Sequence, residues 1–180
     1  MRQIDGYELI VIVDTREKKS GVIKYLEDNN IKYVVEKLAV GDYSLYLRKV
    51  GEVGSIHLGN RFAIERKSSV DEIVQNVVRK EYRARFEAEL EHSASLSCRL
   101  ELFIEDTNWY TKILNHNYFS RTPVKVVRRY LAYYQQKYNF SIVGIQKQNS
   151  GAYVLDRLIY FAKDYIAKQK GKWICLKNEN

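Results

Sequence analysis

Three adjacent residues of complementary chemistry follow a short apolar run in the first half of the chain: Glu65, Arg66 and Lys67. Side chains at positions i and i+2 of a strand project from the same face, so Glu65 and Lys67 would point together from the end of a strand over 61–65. Strand alternation turns Arg66 the other way. Taken alone, such a triplet is also typical of solvated surface segments, so its meaning depends on what lies beside it.

A second carboxylate is predicted to reach the same spot. Asp42 follows Gly41 in a turn and begins the neighbouring strand candidate. Two carboxylates, Asp42 and Glu65, can hold a hard divalent cation such as Mg²⁺, which keeps several waters for a substrate. The peptide carbonyl of Arg66 could supply another oxygen. Such a metal lowers the pKa of a bound water and stabilises charge during phosphoryl transfer, and Lys67 could orient that water.

The elements that must position these groups predict an α/β fold with a mixed sheet between helices. The run from Leu9 to Val13 is β-branched and continuous, which is typical of a strand buried on both faces. The predicted strands are 9–13, 32–37, 43–49, 61–65, 100–105 and 141–145. The predicted helices begin at Ser20, at Ser68 or Ser69, near Glu81 (separate from the preceding helix or continuous with it), at Thr122 with Pro123 in the first helical position, and near Tyr153.

The length of 180 residues and the single proline predict one domain over 1–180, ending in a basic tail over 170–180. The formal net charge of +8 favours a polyanionic partner, of which nucleic acid is the commonest. Four basic residues after the Glu-Arg-Lys triplet are candidates for phosphate contacts, although acidic residues on the same segment could pair with them instead. These candidates are Arg79, Lys80, Arg83 and Arg85.

Cys98 and Cys175 are far apart and match no metal-ligand spacing, which favours a reducing compartment. The polar N-terminus shows no signal peptide, and no apolar run is long enough to span a bilayer. The sequence therefore predicts a cytoplasmic protein without a membrane partner.

Four segments together resemble a known family. They are Val13–Glu17 (VDTRE), Val40–Tyr43 (VGDY), Ile64–Lys67 (IERK) and Asp71. In this order they resemble the nuclease domain of the XPF-type structure-specific endonucleases, the ERCC4 domain of the PD-(D/E)XK superfamily, whose signature is V-D-x-R-E, G-D-Y and E-R-K-x-x-x-D. The match is close from about Leu9 to Glu105.

The resemblance implies a restriction-endonuclease-like mixed central sheet flanked by helices. It also implies Mg²⁺ or Mn²⁺ as cofactor and cleavage of DNA phosphodiesters, on branched, flap or otherwise structured DNA, in repair, recombination or phage DNA processing. Arg66 would then meet DNA or a neighbouring acid such as Asp71, and Asp14 would join the metal ligands. The active-site residues that the resemblance implies are Asp14, Arg16, Asp42, Glu65, Arg66, Lys67 and Asp71.

Family members usually carry a tandem helix-hairpin-helix module that supports dimerisation. No such module is visible in this chain, so a homodimer would have to form without it. Compact stand-alone versions occur in bacteria and phages, which suggests a bacterial or phage-encoded, nucleoid-associated protein.

Two other functions make different sequence predictions. A DNA-binding module without catalysis would be expected to lack Asp42, Glu65 or Lys67, and all three are present. An enzyme acting on another phosphorylated substrate would be expected to carry a Gly-rich phosphate loop or nucleotide fingerprint, and none is visible.

Overall fold

A computed structural model describes residues 3–17 and 20–171. The strands are β1 (Gln3–Ile4), β2 (Tyr7–Asp14), β3 (Tyr33–Glu36), β4 (Tyr43–Lys49), β5 (Ile56–His57), β6 (Phe62–Lys67), β7 (Arg99–Ile104) and β8 (Ile142–Gly144). The α-helices are α1 (Gly21–Asp28), α2 (Val70–Val78), α3 (Lys80–Ser95), α4 (Trp109–Leu114), α5 (Val124–Tyr138) and α6 (Ser150–Gln169), and a 3₁₀ turn covers Lys147–Asn149.

The strands form one mixed sheet in the order β1-β2-β4-β6-β7-β8, with β3 beside β2 and β5 beside β4. β4 runs antiparallel to both β2 and β6, whereas β7 and β8 run parallel to β6. The carboxyl ends of β2, β6, β7 and β8 therefore meet the start of β4 at one edge of the sheet. That edge is where α/β folds commonly place their ligand sites.

Helices cover both faces of the sheet, which explains why β2 is buried from Glu8 to Asp14. One apolar cluster joins the sheet to α1 and α6, and a second joins it to α2, α3 and α5. α1 and α6 pack closely because Gly151 has no side chain: a Cβ there would lie 2.2 Å from the Cβ of Tyr25. The α/β prediction with a mixed sheet between helices is confirmed.

Two helix boundaries refine the predictions. α2 and α3 are separate helices, because Arg79 adopts an extended backbone with ψ of 124° between them. α5 begins at Val124, one residue later than predicted, and Pro123 is its N-cap residue rather than its first helical residue. The reason is local: Pro123 has an extended ψ of 140°, and Thr122 is held in the preceding turn by a hydrogen bond from its N–H to Ser120 Oγ.

The short elements β1, β5 and α4 had no prediction, because two to six residues are too few to show a hydrophobic period. Most of the predicted basic tail, together with Cys175, lies outside the described residues. Within the described ranges, no helix is both long enough and apolar enough to cross a membrane.

Candidate active site

The turn before β4 fixes the first catalytic candidate. Gly41 has a φ of +70°, and a Cβ there would lie 3.0 Å from the carbonyl oxygen of Ile64. The N–H of Asp42 donates to that same carbonyl oxygen at 2.8 Å, and the carbonyl of Asp42 accepts from the N–H of Asp14 at 2.8 Å. Only glycine fits this conformation at so close an approach. The turn thus holds Asp42 between the ends of β2 and β6.

The Asp42 carboxylate is half-buried beside another negative charge. Its Oδ2 accepts a hydrogen bond from the N–H of Arg66 at 2.8 Å. Burial, followed by the charge of Glu65, nevertheless raises the pKa of Asp42 well above its ordinary value. Two like charges that cannot easily both ionise favour a bound cation, which would neutralise them.

Glu65 and Lys67 project from the same face of β6, as strand alternation predicts. Lys67 Nζ lies 2.5 Å from Glu65 Oε1, and both side chains are buried. Burial alone would lower the pKa of Lys67, but the Glu65 carboxylate outweighs it and raises that pKa above the ordinary value. Lys67 is therefore an ammonium group at neutral pH, and it can donate hydrogen bonds but cannot act as a base.

Glu89 of α3 is a further acid at this site, and the sequence reasoning treated it only as a surface ion partner. Its Oε1 accepts the N–H of Gly41 at 3.0 Å. Burial and the charge of Glu65 raise the pKa of Glu89 to about 7, against the effect of the Gly41 hydrogen bond. One sequence signal could have found it: Glu89 comes three residues after Phe86 and next to Leu90, on the buried stripe of its helix.

Asp14 shapes the loop after β2. Its carboxylate is fully buried and accepts hydrogen bonds from Arg16 N–H at 2.8 Å, Arg16 Nε at 2.6 Å and Leu38 N–H at 2.7 Å. Burial would raise the pKa of Asp14, but these donors overcome it and lower the pKa. Asp14 is thus an anion with donors on both oxygens, and its role as a metal ligand stays a prediction. The guanidinium of Arg16 also lies within electrostatic reach of Asp42 and Glu89.

Arg66 contacts neighbouring acids, which was one of the two expectations, but Asp71 is not one of these acids. Arg66 lies between two other acids, with Nη2 at 2.7 Å from Glu17 Oε1 and Nη1 at 3.1 Å from Glu105 Oε2. Asp71 instead accepts the N–H of Phe119 at 2.7 Å. Asp71 is the second residue of α2, and its carboxylate contacts the loop before α5.

The chain also matches a known protein family. A family model described as the ERCC4 domain matches residues 13–158. This chain belongs to the ERCC4 domain family. The match includes all seven active-site candidates, so the resemblance predicted from the sequence motifs is confirmed.

Two solved structures share the fold of this ERCC4 domain. XPF from Aeropyrum pernix aligns with a TM-score of 0.57 and 16% sequence identity, covering 95% of this chain and 67% of that chain. XPF from Aeropyrum pernix in complex with DNA aligns with a TM-score of 0.54 and 14% identity, covering 93% of this chain and 68% of that chain. At these identities the likeness establishes the fold alone. No curated protein sequence matches the chain.

A basic cleft lies next to the edge of the sheet at which the carboxyl ends of β2, β6 and β7 meet in this ERCC4 domain. It has a volume of about 230 Å³, and its lining residues are Arg16, Ala39, Lys67, Asn76, Tyr82, Arg85, Phe86 and Glu89. Arg79 lies over the ring of Tyr82 at 5.2 Å, and Arg83 Nη1 donates to the hydroxyl of Tyr130 at 2.8 Å. None of the ion pairs among the described residues joins the four predicted phosphate contacts to an acid, which leaves their charge available to a polyanion.

The donor set of the ERCC4 domain fits a cation that keeps most of its own waters. Among the described residues, no group of three or more His, Cys, Asp or Glu side chains is arranged to hold a metal ion. The candidate metal ligands among the described residues are the carboxylates of Asp42 and Glu65, with backbone oxygen beside them. Mg²⁺ is commonly held by one or two carboxylates, with water and substrate oxygens completing the shell.

Proposed function

We propose that this ERCC4 domain is a divalent-metal-dependent DNA endonuclease that acts on branched, flap or otherwise structured DNA. The observation that supports the proposal most is the convergence of Asp42, Glu65 and Lys67 at the carboxyl edge of the sheet. The raised pKa of Asp42 supports a cation there, because burial and the charge of Glu65 make a second anion unfavourable. The family resemblance specifies Mg²⁺ or Mn²⁺.

In the proposed reaction each side chain has a separate task. Asp42 and Glu65 hold the metal, with the Arg66 carbonyl as a further oxygen, and the N–H of Arg66 orients the Asp42 carboxylate. A bound Mg²⁺ or Mn²⁺ supplies a water of lowered pKa and positive charge for the developing phosphate oxygens. Lys67 donates a hydrogen bond that orients the attacking water or hydroxide. Glu89 supports the turn that carries Asp42, through its contact with the Gly41 N–H.

The surrounding charges position these groups and the DNA. Arg66 bridges Glu17 and Glu105 and so ties the loop after β2 to the end of β7 beside the catalytic strand. Arg16 is exposed next to the acids and can meet a phosphate near the scissile bond. Of the four basic residues of the 79–85 segment, Arg85 lines the neighbouring cleft, and all four can contact the DNA backbone. The similar Aeropyrum pernix structure in complex with DNA supports DNA as the partner.

The biological setting follows the family. We infer a cytoplasmic, nucleoid-associated nuclease that folds as one domain and works in DNA repair, recombination or phage DNA processing.

The test is a cleavage assay on labelled branched, flap and linear DNA with Mg²⁺ or Mn²⁺. Wild type should cleave, and excess EDTA should abolish cleavage. Asp42→Asn and Glu65→Gln should each lose cleavage and still bind DNA in Ca²⁺, because removing one charge weakens metal binding with little change in volume. Circular dichroism checks that both variants are folded. Full cleavage in excess chelator, or wild-type rates in both variants, would refute the proposal.

A further inference from the structure

The helix α5 has an unusual charge pattern. Its 15 residues include no Asp or Glu, four basic side chains and four tyrosines. Lys137 pairs with Glu91 at 3.7 Å. Among the described residues, no acid pairs with Lys125, Arg128 or Arg129, and all three are exposed. Solvated helix faces usually intersperse both signs of charge, so this uncompensated positive strip favours a polyanionic ligand.

A cleft follows one stripe of the same helix. It has a volume of about 470 Å³, within the usual range of ligand pockets. Its lining residues are Val126, Arg129, Tyr130 and Tyr133, at helical spacings of three and four. An arginine and two tyrosines in one cleft combine a phosphate contact with aromatic surface.

The aromatic surface of this cleft is both accessible and supported from below. The side chain of Tyr133 is 55% exposed. Its ring meets the ring of Tyr134 at 61° with 5.4 Å between centroids. Tyr134 is 1% exposed and belongs to the core. The Lys137 ammonium lies 5.8 Å from the centroid of the Tyr133 ring, so a planar group stacked on this exposed ring would also meet a positive charge.

The helix α3 contacts both this cleft and the turn that carries Asp42. The hydrogen bond from Arg83 to the Tyr130 hydroxyl joins α3 to the cleft wall. Six residues further along the same helix, Glu89 contacts Gly41 in the active site. At 1.5 Å per residue, these points on α3 are about 9 Å apart.

We propose that the outer face of α5 binds an unpaired strand of the DNA substrate, with a base stacked on Tyr133 and phosphates on Arg128 and Arg129. The inference rests on the proposed function, because the strand belongs to the substrate of that nuclease. Stacking requires an unpaired base, since a base inside a duplex has both faces covered by its neighbours. The face of α5 carries positive charge and no acidic residue, which favours a polyanion over a protein partner. The face would favour branched or flap DNA over plain duplex.

The experiment measures the affinity for a fluorescent oligo(dT) of about 15 nucleotides by anisotropy, in Ca²⁺, with a duplex of the same length for comparison. Tyr133→Ala should weaken oligo(dT) binding by roughly tenfold, the effect of losing one stacked base, and leave duplex binding unchanged. Tyr133→Phe should bind as wild type does. Arg129→Gln should reduce the slope of log K against log salt by about 0.7 on the single strand. Tyr160→Ala is the matched control, because Tyr160 is 47% exposed on α6, across the sheet.

Three results would overturn the inference. One is a folded Tyr133→Ala variant that binds oligo(dT) as tightly as wild type does. Another is an equal loss of affinity for oligo(dT) and duplex. The third is a wild-type dimer that Tyr133→Ala converts to monomers with unchanged oligo(dT) affinity, which would make the face an interface between copies. The binding assay needs no cleavage, so Tyr133-dependent binding by a protein that cleaves no DNA contradicts the proposed function alone.

Discussion

The burial of Glu89 leads to a stability prediction that the charge-neutral variant Glu89→Gln can test. The pKa of Glu89 rises from the ordinary value of 4.5 to about 7, because burial and the charge of Glu65 oppose its ionisation. The folded protein therefore binds this proton more tightly than the unfolded chain does. The stabilisation is fully present below about pH 4.5 and is lost as the pH rises through about 7.

The magnitude follows from the two pKa values. At 1.36 kcal/mol per pH unit, the rise from 4.5 to about 7 corresponds to a loss of about 3 kcal/mol across that window. Glu89→Gln keeps an oxygen that can accept the Gly41 N–H and removes the charge. The variant should therefore gain about 3 kcal/mol over wild type between about pH 4.5 and about pH 7.5.

The assay is urea unfolding of both proteins in EDTA at several pH values from about 4.5 to about 7.5. Glu91→Gln is the matched control on the same helix, because the side chain of Glu91 is 62% exposed and its substitution should leave the pH dependence unchanged. Adding Mg²⁺ or Mn²⁺ should reduce the wild-type loss, since a cation near Glu65 offsets the repulsion. A stability difference that is constant with pH would refute the reasoning and mean that the Glu89 carboxylate is hydrated in the folded protein.

Three further predictions test the turn, the catalytic lysine and the basic segment. Gly41→Ala should cost about 2–4 kcal/mol in urea unfolding, because φ of +70° strains the backbone and the new Cβ meets the Ile64 carbonyl at 3.0 Å. Gly51→Ala, with φ of +84° and open space around the new Cβ, should cost only about 1–2 kcal/mol. Equal losses of stability in the two variants would mean that the contact with the Ile64 carbonyl contributes nothing. Lys67→Ala should slow single-turnover cleavage at saturating enzyme by about a hundredfold to ten-thousandfold with little change in Kd measured in Ca²⁺. Normal cleavage by that variant would mean that Lys67 only attracts DNA. Reversing Arg83 and Arg85 to Glu should weaken binding to all duplex sequences and flatten the slope of log K against log salt by about 0.9 per lost contact. Unchanged binding would make this segment an ordinary solvated surface.

Local rules of strand geometry account for what the sequence could predict at the site. Glu65 and Lys67 are two residues apart on one strand, and alternation alone brings their side chains within 2.5 Å. Asp42 could be placed because a glycine turn before a strand leaves few positions for the next residue. The buried run of β2 was predictable because continuous β-branched residues need helices on both faces.

What the sequence could not predict depends on contacts between distant segments. Glu89 reaches Gly41 across 48 positions of the chain, and no periodicity specifies where the helix α3 crosses the sheet. The partners of Arg66 have the same origin, since Glu17 follows β2 and Glu105 follows β7. Both strand ends lie at the same edge only because β4 reverses direction between β2 and β6. Periodicity gives the elements, and the pairing of strands decides which charges meet.

The distribution of charge at this edge supports the proposed cation site beside Asp42. Other carboxylates of the edge already have cationic partners, in the pairs Asp14 with Arg16, Glu17 and Glu105 with Arg66, and Glu65 with Lys67. Asp42, like Glu89, has no ion pair with a described residue, and burial together with the charge of Glu65 raises its pKa. A neighbouring cation such as Lys67 cannot satisfy both acids, because its ammonium is held against Glu65. The fold thus compensates most of the charges that build the edge and leaves Asp42 and Glu89 without an ion pair among the described residues.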